Sequence, residues 1–201
     1  MGTLRLRSAD ETTTRAIGAA VAGLLDPGDV VGLAGDLGAG KTRLVQGAAA
    51  TLGTDGPVLS PTFMLVREYD GDPPIHHVDA YRLSGPLELE DLGLEDVLSP
   101  DAVVFVEWAD RVAAALPENW LELVLHIHDD DRRELEVRPH GPAWAHRADR
   151  LTGALEPFLA GAGTSLGTGT SPGTGTSPGA GPSPGARRSP TPGSRGPRTG
   201  G

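Results

Sequence analysis

The chain has 201 residues, of which 38% are hydrophobic, 27 acidic and 17 basic, and it contains no Cys. The missing Cys excludes disulfides and thiolate metal sites, and no apolar run approaches the roughly 18 residues that a membrane span needs. Four of the basic residues (Arg187, Arg188, Arg195 and Arg198) lie beyond Gly161 with no acid among them, leaving 13 basic residues against 27 acidic ones before it; such a body repels a phosphate backbone, which argues against direct nucleic-acid binding by the folded part.

Leu4 to Arg7 predicts a short first strand. Asp10 to Leu25 predicts an amphipathic helix, because Ile17, Ala20, Val21, Leu24 and Leu25 recur at helical spacing. Ser8 or Asp10 can cap it, and Pro27-Gly28 ends it. Asp29 to Ala34 is a short apolar run of the kind that a buried parallel strand requires. A glycine-rich turn follows, then a helix over Thr42 to Leu52 with Gly53 closing it. Further strands are expected at Phe63 to Tyr69, Ile75 to Asp79 and Val103 to Glu107. Pro86 to Leu92 predicts a short helix and Asp110 to Leu116 a helical turn or two. Trp120 to His128 and Glu134 to Arg138 read as a late hairpin around Asp129, Asp130 and Asp131, and Trp144 to Leu159 as a final helix. From Gly161 the composition turns to Gly, Ser, Thr, Pro and Ala, with a loose SPGTGT repeat. Such a segment cannot bury enough apolar surface to offset its ordering entropy. The expected division is a folded domain over 1–160 and a disordered tail over 161–201. The start of the chain shows no apolar stretch of secretory type, so a cytoplasmic location is expected.

Gly35-Asp36-Leu37-Gly38-Ala39-Gly40-Lys41-Thr42 fits G-x-x-x-x-G-K-[ST] at every fixed position, between a buried strand and a helix. The glycines allow successive backbone N–H groups to converge on one anion, and the helix points its positive end there. Lys41 is the only Lys in the chain, beside 16 Arg. A compact ammonium suits a bridge between β- and γ-phosphates, where a planar guanidinium does not. The Thr42 hydroxyl is the expected Mg²⁺ ligand. The fold class that follows is α/β: a P-loop NTPase domain with a mostly parallel central sheet flanked by helices. Asp79 and Glu107 each finish an apolar strand, the form of a metal-side or water-orienting acid. Ser60-Pro61-Thr62-Phe63 places hydroxyls where a switch-like segment can reach the γ-phosphate or the metal. His76 and His77 alternate on a strand and make a poor zinc site without Cys. Trp108 is expected to pack. No guanine-reading NKxD motif is present.

The runs GDLGAGKT, SPTF, HHVDAYRL, GLEDVL and VEW, in this order and spacing, closely resemble the bacterial TsaE family over roughly Leu4 to Arg138. These are small ATPases of tRNA threonylcarbamoyladenosine biosynthesis. The resemblance implies weak ATP hydrolysis that rises with the partner proteins TsaB and TsaD. TsaD transfers the threonylcarbamoyl group to adenosine 37 of ANN-decoding tRNAs, and the ATPase resets it between turnovers, touching tRNA only through the complex. Carried over by position, Gly35, Gly38, Ala39, Gly40, Lys41, Thr42 and Arg43 bind nucleotide, with Thr62 in the switch-like segment. Thr42 and Glu107 hold Mg²⁺, and Asp79 assists at the metal or the attacking water. Glu11 to Thr14 lie near the adenine and Arg133 near the nucleotide. The glycine-rich tail departs from the family pattern. Two other functions compatible with the loop are a small-metabolite kinase and a non-hydrolytic nucleotide-sensing module. Arg132-Arg133 is the only Arg pair in the folded region, and no Arg-rich lid follows the central strands, which counts against the kinase.

Overall fold

Val30–Gly35 (β2) is apolar almost throughout and occupies the middle of a seven-stranded sheet. A computed structural model describes residues 2–91, 93, 97–128 and 132–161. Trp120–Ile127 (β6) and Val103–Glu107 (β5) flank β2 in parallel, and Ile75–Asp79 (β4) continues the parallel set beyond β5. The two flanks are antiparallel. Val66–Tyr69 (β3) pairs with β4 at one edge, and Arg133–His140 (β7) pairs with β6 and then with Leu4–Ser8 (β1) at the other. The strand order is therefore β1-β7-β6-β2-β5-β4-β3. This is the expected α/β sheet, parallel in its middle, with the late hairpin in place. The hairpin's Asp129, Asp130 and Asp131, the end of the Pro86 helix at Leu92 and the tail from 162 onward lie outside the described residues.

Side chains alternate across each strand, so each central strand feeds two cores. Val31, Leu33, Ile75, Phe105 and Leu123 join one cluster, completed by Glu11–Ala22 (α1) and Lys41–Thr51 (α2). Trp144 of Gly141–His146 (α4) and Leu151 and Leu155 of Ala148–Leu155 (α5) close that layer. Val78, Val104 and Val106 point to the other face, toward Leu89 of Pro86–Asp91 (α3) and Val112.

The sequence places most elements well and errs at two. The strand expected from Phe63 begins only at Val66. The Pro61 carbonyl accepts from the N–H groups of Met64 and Leu65 at 2.8 and 2.7 Å, and Leu65 is left-handed at φ +64. That closed turn removes Phe63 to Leu65 from the strand. The final helix starts earlier than expected and breaks at Arg147 into α4 and α5, with a 3₁₀ turn over Glu156–Phe158 around Pro157. The helical turn or two expected over Asp110 to Leu116 are present as two 3₁₀ turns, Ala109–Arg111 and Ala113–Ala115.

α1 and α2 cross with their backbones touching. A Cβ added at Gly47 would lie 1.9 Å from the Arg15 carbonyl oxygen, and one at Gly18 2.1 Å from that of Leu44. Backbone cannot yield as a side-chain tip can. Gly47→Ala is therefore expected to destabilise the fold by about 3 kcal/mol through overpacking. A melting curve that matches the wild type would contradict this close crossing.

Candidate nucleotide site

β2 stops at Gly35 and α2 starts at Lys41, so the phosphate-loop motif spans the strand-to-helix turn. Gly35, Gly38 and Gly40 have φ of +131°, +81° and +108°. Side-chain-bearing residues enter that region only under strain, which is why the loop needs glycine here. Gly40 brings no side chain to cap α2. The first-turn N–H groups, with the positive end of the helix dipole behind them, are thus left to an anion.

Lys41 is 5% exposed. Its Nζ donates to the carbonyls of Gly35 and Asp36 at 2.6 and 2.9 Å and sits 3.6 Å from the centre of the Trp108 ring. Burial pulls the ammonium below the ordinary lysine range, while the carboxylates of Glu107, Asp79, Asp110 and Asp36 push the other way. A buried cation held by carbonyl oxygens and a π face is a favourable partner for phosphate oxygens, which replace those weaker contacts with a full negative charge.

The two strand-end acids meet because β4 and β5 are parallel and in register, with Asp79 opposite Glu107. Both are buried, at 2% and 3% exposure. Thr42 Oγ1 donates to Glu107 Oε1 at 2.7 Å, and His77 Nε2 lies 2.9 Å from the same oxygen. The Thr42 proton is committed to Glu107, so its oxygen lone pairs remain for a cation. Asp79 Oδ2 receives the hydroxyls of Ser60 and Thr62 at 2.8 and 2.7 Å, and its Oδ1 receives the Tyr81 N–H at 3.0 Å. The Pro61 turn that shortens β3 is what brings Thr62 to Asp79, helped by a bond from the Asp79 N–H to the Leu65 carbonyl.

These groups line one cleft of about 640 Å³, bounded by Gly38, Gly40, Lys41, Thr42, Arg43, Thr62, Asp79 and Glu107, with Ser60 and Trp108. Gly35 takes part through its carbonyl, and Ala39 is fully buried beneath the loop. Arg133 lies on the loop's other side. Its guanidinium reaches the carbonyls of Ala39 and Gly38 at 3.2 and 3.4 Å. There Asp10, Glu11, Thr14, Arg43 and Arg133 border a second hollow of about 160 Å³ that shares Gly38 and Gly40 with the cleft. Arg43 ties the two helices together through Glu11, 3.2 Å away.

The donor set fits a magnesium–triphosphate group. The cation side offers hard oxygen donors, which magnesium prefers. Among the described residues no three His, Cys, Asp or Glu side chains converge as a metal cage. A divalent ion here would take the rest of its shell from water and phosphate oxygens. Sequence reasoning underrated two residues. Trp108 packs against the second core cluster as expected, but its left-handed backbone at φ +61° also turns the ring over Lys41. His77, weighed only as a zinc ligand, binds Glu107; its position two residues before Asp79 on a strand was the available signal.

The family model described as "Threonylcarbamoyl adenosine biosynthesis protein TsaE" matches residues 8–135. A Bacillus subtilis protein called tRNA threonylcarbamoyladenosine biosynthesis protein TsaE is 42% identical over 153 residues, covering 76% of this chain and 96% of its own. A Streptomyces coelicolor protein of the same name is 46% identical over 139 residues, covering 65% and 93%. The crystal structure of Bacillus subtilis YdiB superposes with a TM-score of 0.66 at 34% identity, over 76% of this chain and 95% of that one.

Proposed function

The chain belongs to the TsaE family, and on that premise we propose that it is the ATP-hydrolysing component of tRNA threonylcarbamoyladenosine biosynthesis. The observation that carries this reading is the convergence of Lys41, Thr42, Asp79 and Glu107 on one cleft beneath a phosphate-loop turn. Loop amides and Lys41 would hold the β- and γ-phosphates of ATP. Thr42 and Glu107 would hold Mg²⁺, which supplies charge neutralisation at the phosphate oxygens when bound. Asp79 would orient the attacking water, with Thr62 and Ser60 as the hydroxyls that it positions. Glu11, Thr14 and Arg133 stand where the nucleoside end of the ligand can extend past the loop.

The partners in this reading are TsaB and TsaD, whose transferase acts on adenosine 37 of ANN-decoding tRNAs. The chain's own role would be to bind that pair and reset it through hydrolysis. Its acidic balance favours contact with tRNA only through those partners. No described helix is long and apolar enough to cross a membrane. The deciding experiment is a reconstituted modification assay with TsaB, TsaD and tRNA. Addition of this chain and ATP is expected to convert a single turnover into many, and ATP hydrolysis is expected to rise with the partners present. If a non-hydrolysable ATP analogue sustains multiple turnovers, the chain acts as a nucleotide sensor. If neither binding nor hydrolysis of ATP occurs with the partners present, the reading fails.

A further inference from the structure

His77 is completely buried, on the same face of β4 as Asp79 by strand alternation. An ionised carboxylate only accepts hydrogen bonds, so the 2.9 Å contact to Glu107 Oε1 places the ring proton on Nε2. Nδ1 is buried as well, and it has no hydrogen-bond partner among the described residues. A buried nitrogen left unpaired is costly, and an apolar side chain of similar shape would fill the space without that cost. The ring's one bond is therefore the reason for an imidazole here, and it ends on Glu107.

Glu107 Oε1 also accepts from Thr42. Donors from β4 and α2 thus meet on one oxygen of a β5 residue. Oε2 accepts no hydrogen bond from the described residues, and Glu107 lines the cleft. We propose that His77 is a positioning residue that clamps Glu107 Oε1 so that the carboxylate presents Oε2 to the cation side of the nucleotide site. His77 itself never reaches the cleft. The proposal rests on reading Thr42 and Glu107 as the magnesium side of that site.

The test uses the full chain with Mn²⁺ as a spectroscopic stand-in for magnesium and a non-hydrolysable ATP analogue. His77→Phe fills the volume with no donor, and His77→Gln keeps an N–H within reach of Glu107. Electron paramagnetic resonance reads the Mn²⁺ affinity of the analogue complex. H77F is expected to weaken it about 10- to 100-fold, the usual effect of losing a partner that orients a metal ligand, with H77Q recovering most of the loss. Metal-free binding of the analogue should change by no more than about twofold, and in a Glu107→Gln background H77F should add no more than that, since coupled residues do not act additively. Wild-type Mn²⁺ affinity in H77F, or full additivity with Glu107→Gln, overturns the proposal. If Phe is not accommodated, His77→Met, a flexible filler without a donor, decides it by the same criterion. A wild-type chain that binds no Mn²⁺–nucleotide at all overturns the magnesium reading along with this one.

Discussion

Replacing Lys41 with alanine is expected to weaken ATP binding roughly ten- to hundredfold, the effect of losing a charged hydrogen bond of about 1.5–3 kcal/mol. Displacement of a fluorescent ATP analogue measures it directly. Lys41→Arg should recover little, because Nζ sits between two loop carbonyls and the Trp108 ring at 3.6 Å, where a planar fork does not fit. The ammonium also predicts a pH dependence. Burial holds it below the usual lysine value of 10.5, so the free site sheds its charge earlier in alkali than an ordinary lysine would. Affinity for nucleotide should fall as pH rises through that lowered value. Stability moves the opposite way. Between the lowered folded value and 10.5 the unfolded chain binds the proton that the folded chain has lost, so Lys41's contribution to stability rises with pH there. Lys41→Ala should lack both trends. Near-normal ATP turnover by that variant would contradict the site as described.

The second large effect separates the two acids. Asp79→Asn is expected to lower ATP turnover about 10²- to 10³-fold, as when a positioned acid–base group is lost, with little change in ATP affinity or in magnesium dependence. Its amide oxygen can still accept from Ser60 and Thr62, so the segment it anchors should stay in place. Glu107→Gln is expected to act through the cation instead, raising the magnesium concentration for half-maximal turnover at least tenfold, on the scale of lost metal-site contacts. Kinetics over a magnesium titration compare them. If Asp79→Asn shifts the magnesium response and Glu107→Gln does not, the two roles are exchanged. If neither slows turnover, hydrolysis does not run through these strand ends.

Much of this candidate site is legible because a glycine-rich turn that converges backbone N–H groups is a local device. Gly35 to Thr42 carries its spacing, its glycines and its flanking strand and helix within a short stretch of sequence. Asp79 and Glu107 were legible as candidates because an acid closing an apolar strand is conspicuous. The switch-like segment was half legible. Its hydroxyls were visible, but Phe63 and Met64 followed by Val66 imitate a strand. The Pro61 turn that undoes it closes on its own backbone, and the left-handed Leu65 is tied to β4 by the Asp79 N–H, which donates to its carbonyl. The bond of His77 to Glu107 is not legible for a related reason. Glu107 is 30 residues away, and an HH pair reads the same whether it binds a metal or a carboxylate.

The parallel α/β core, the turn at its centre and the residue types around it can be read from the chain alone. All of these follow from hydrophobic patterning and local backbone preference, which act over a few residues. Which acid meets which hydroxyl depends on contacts between distant segments. Parallel pairing of β4 with β5 sets Asp79 opposite Glu107, and the glycine-to-backbone crossing of α1 and α2 packs the helix that carries Thr42 into place. Register and helix crossing are fixed by contacts between distant segments, and no local pattern encodes them.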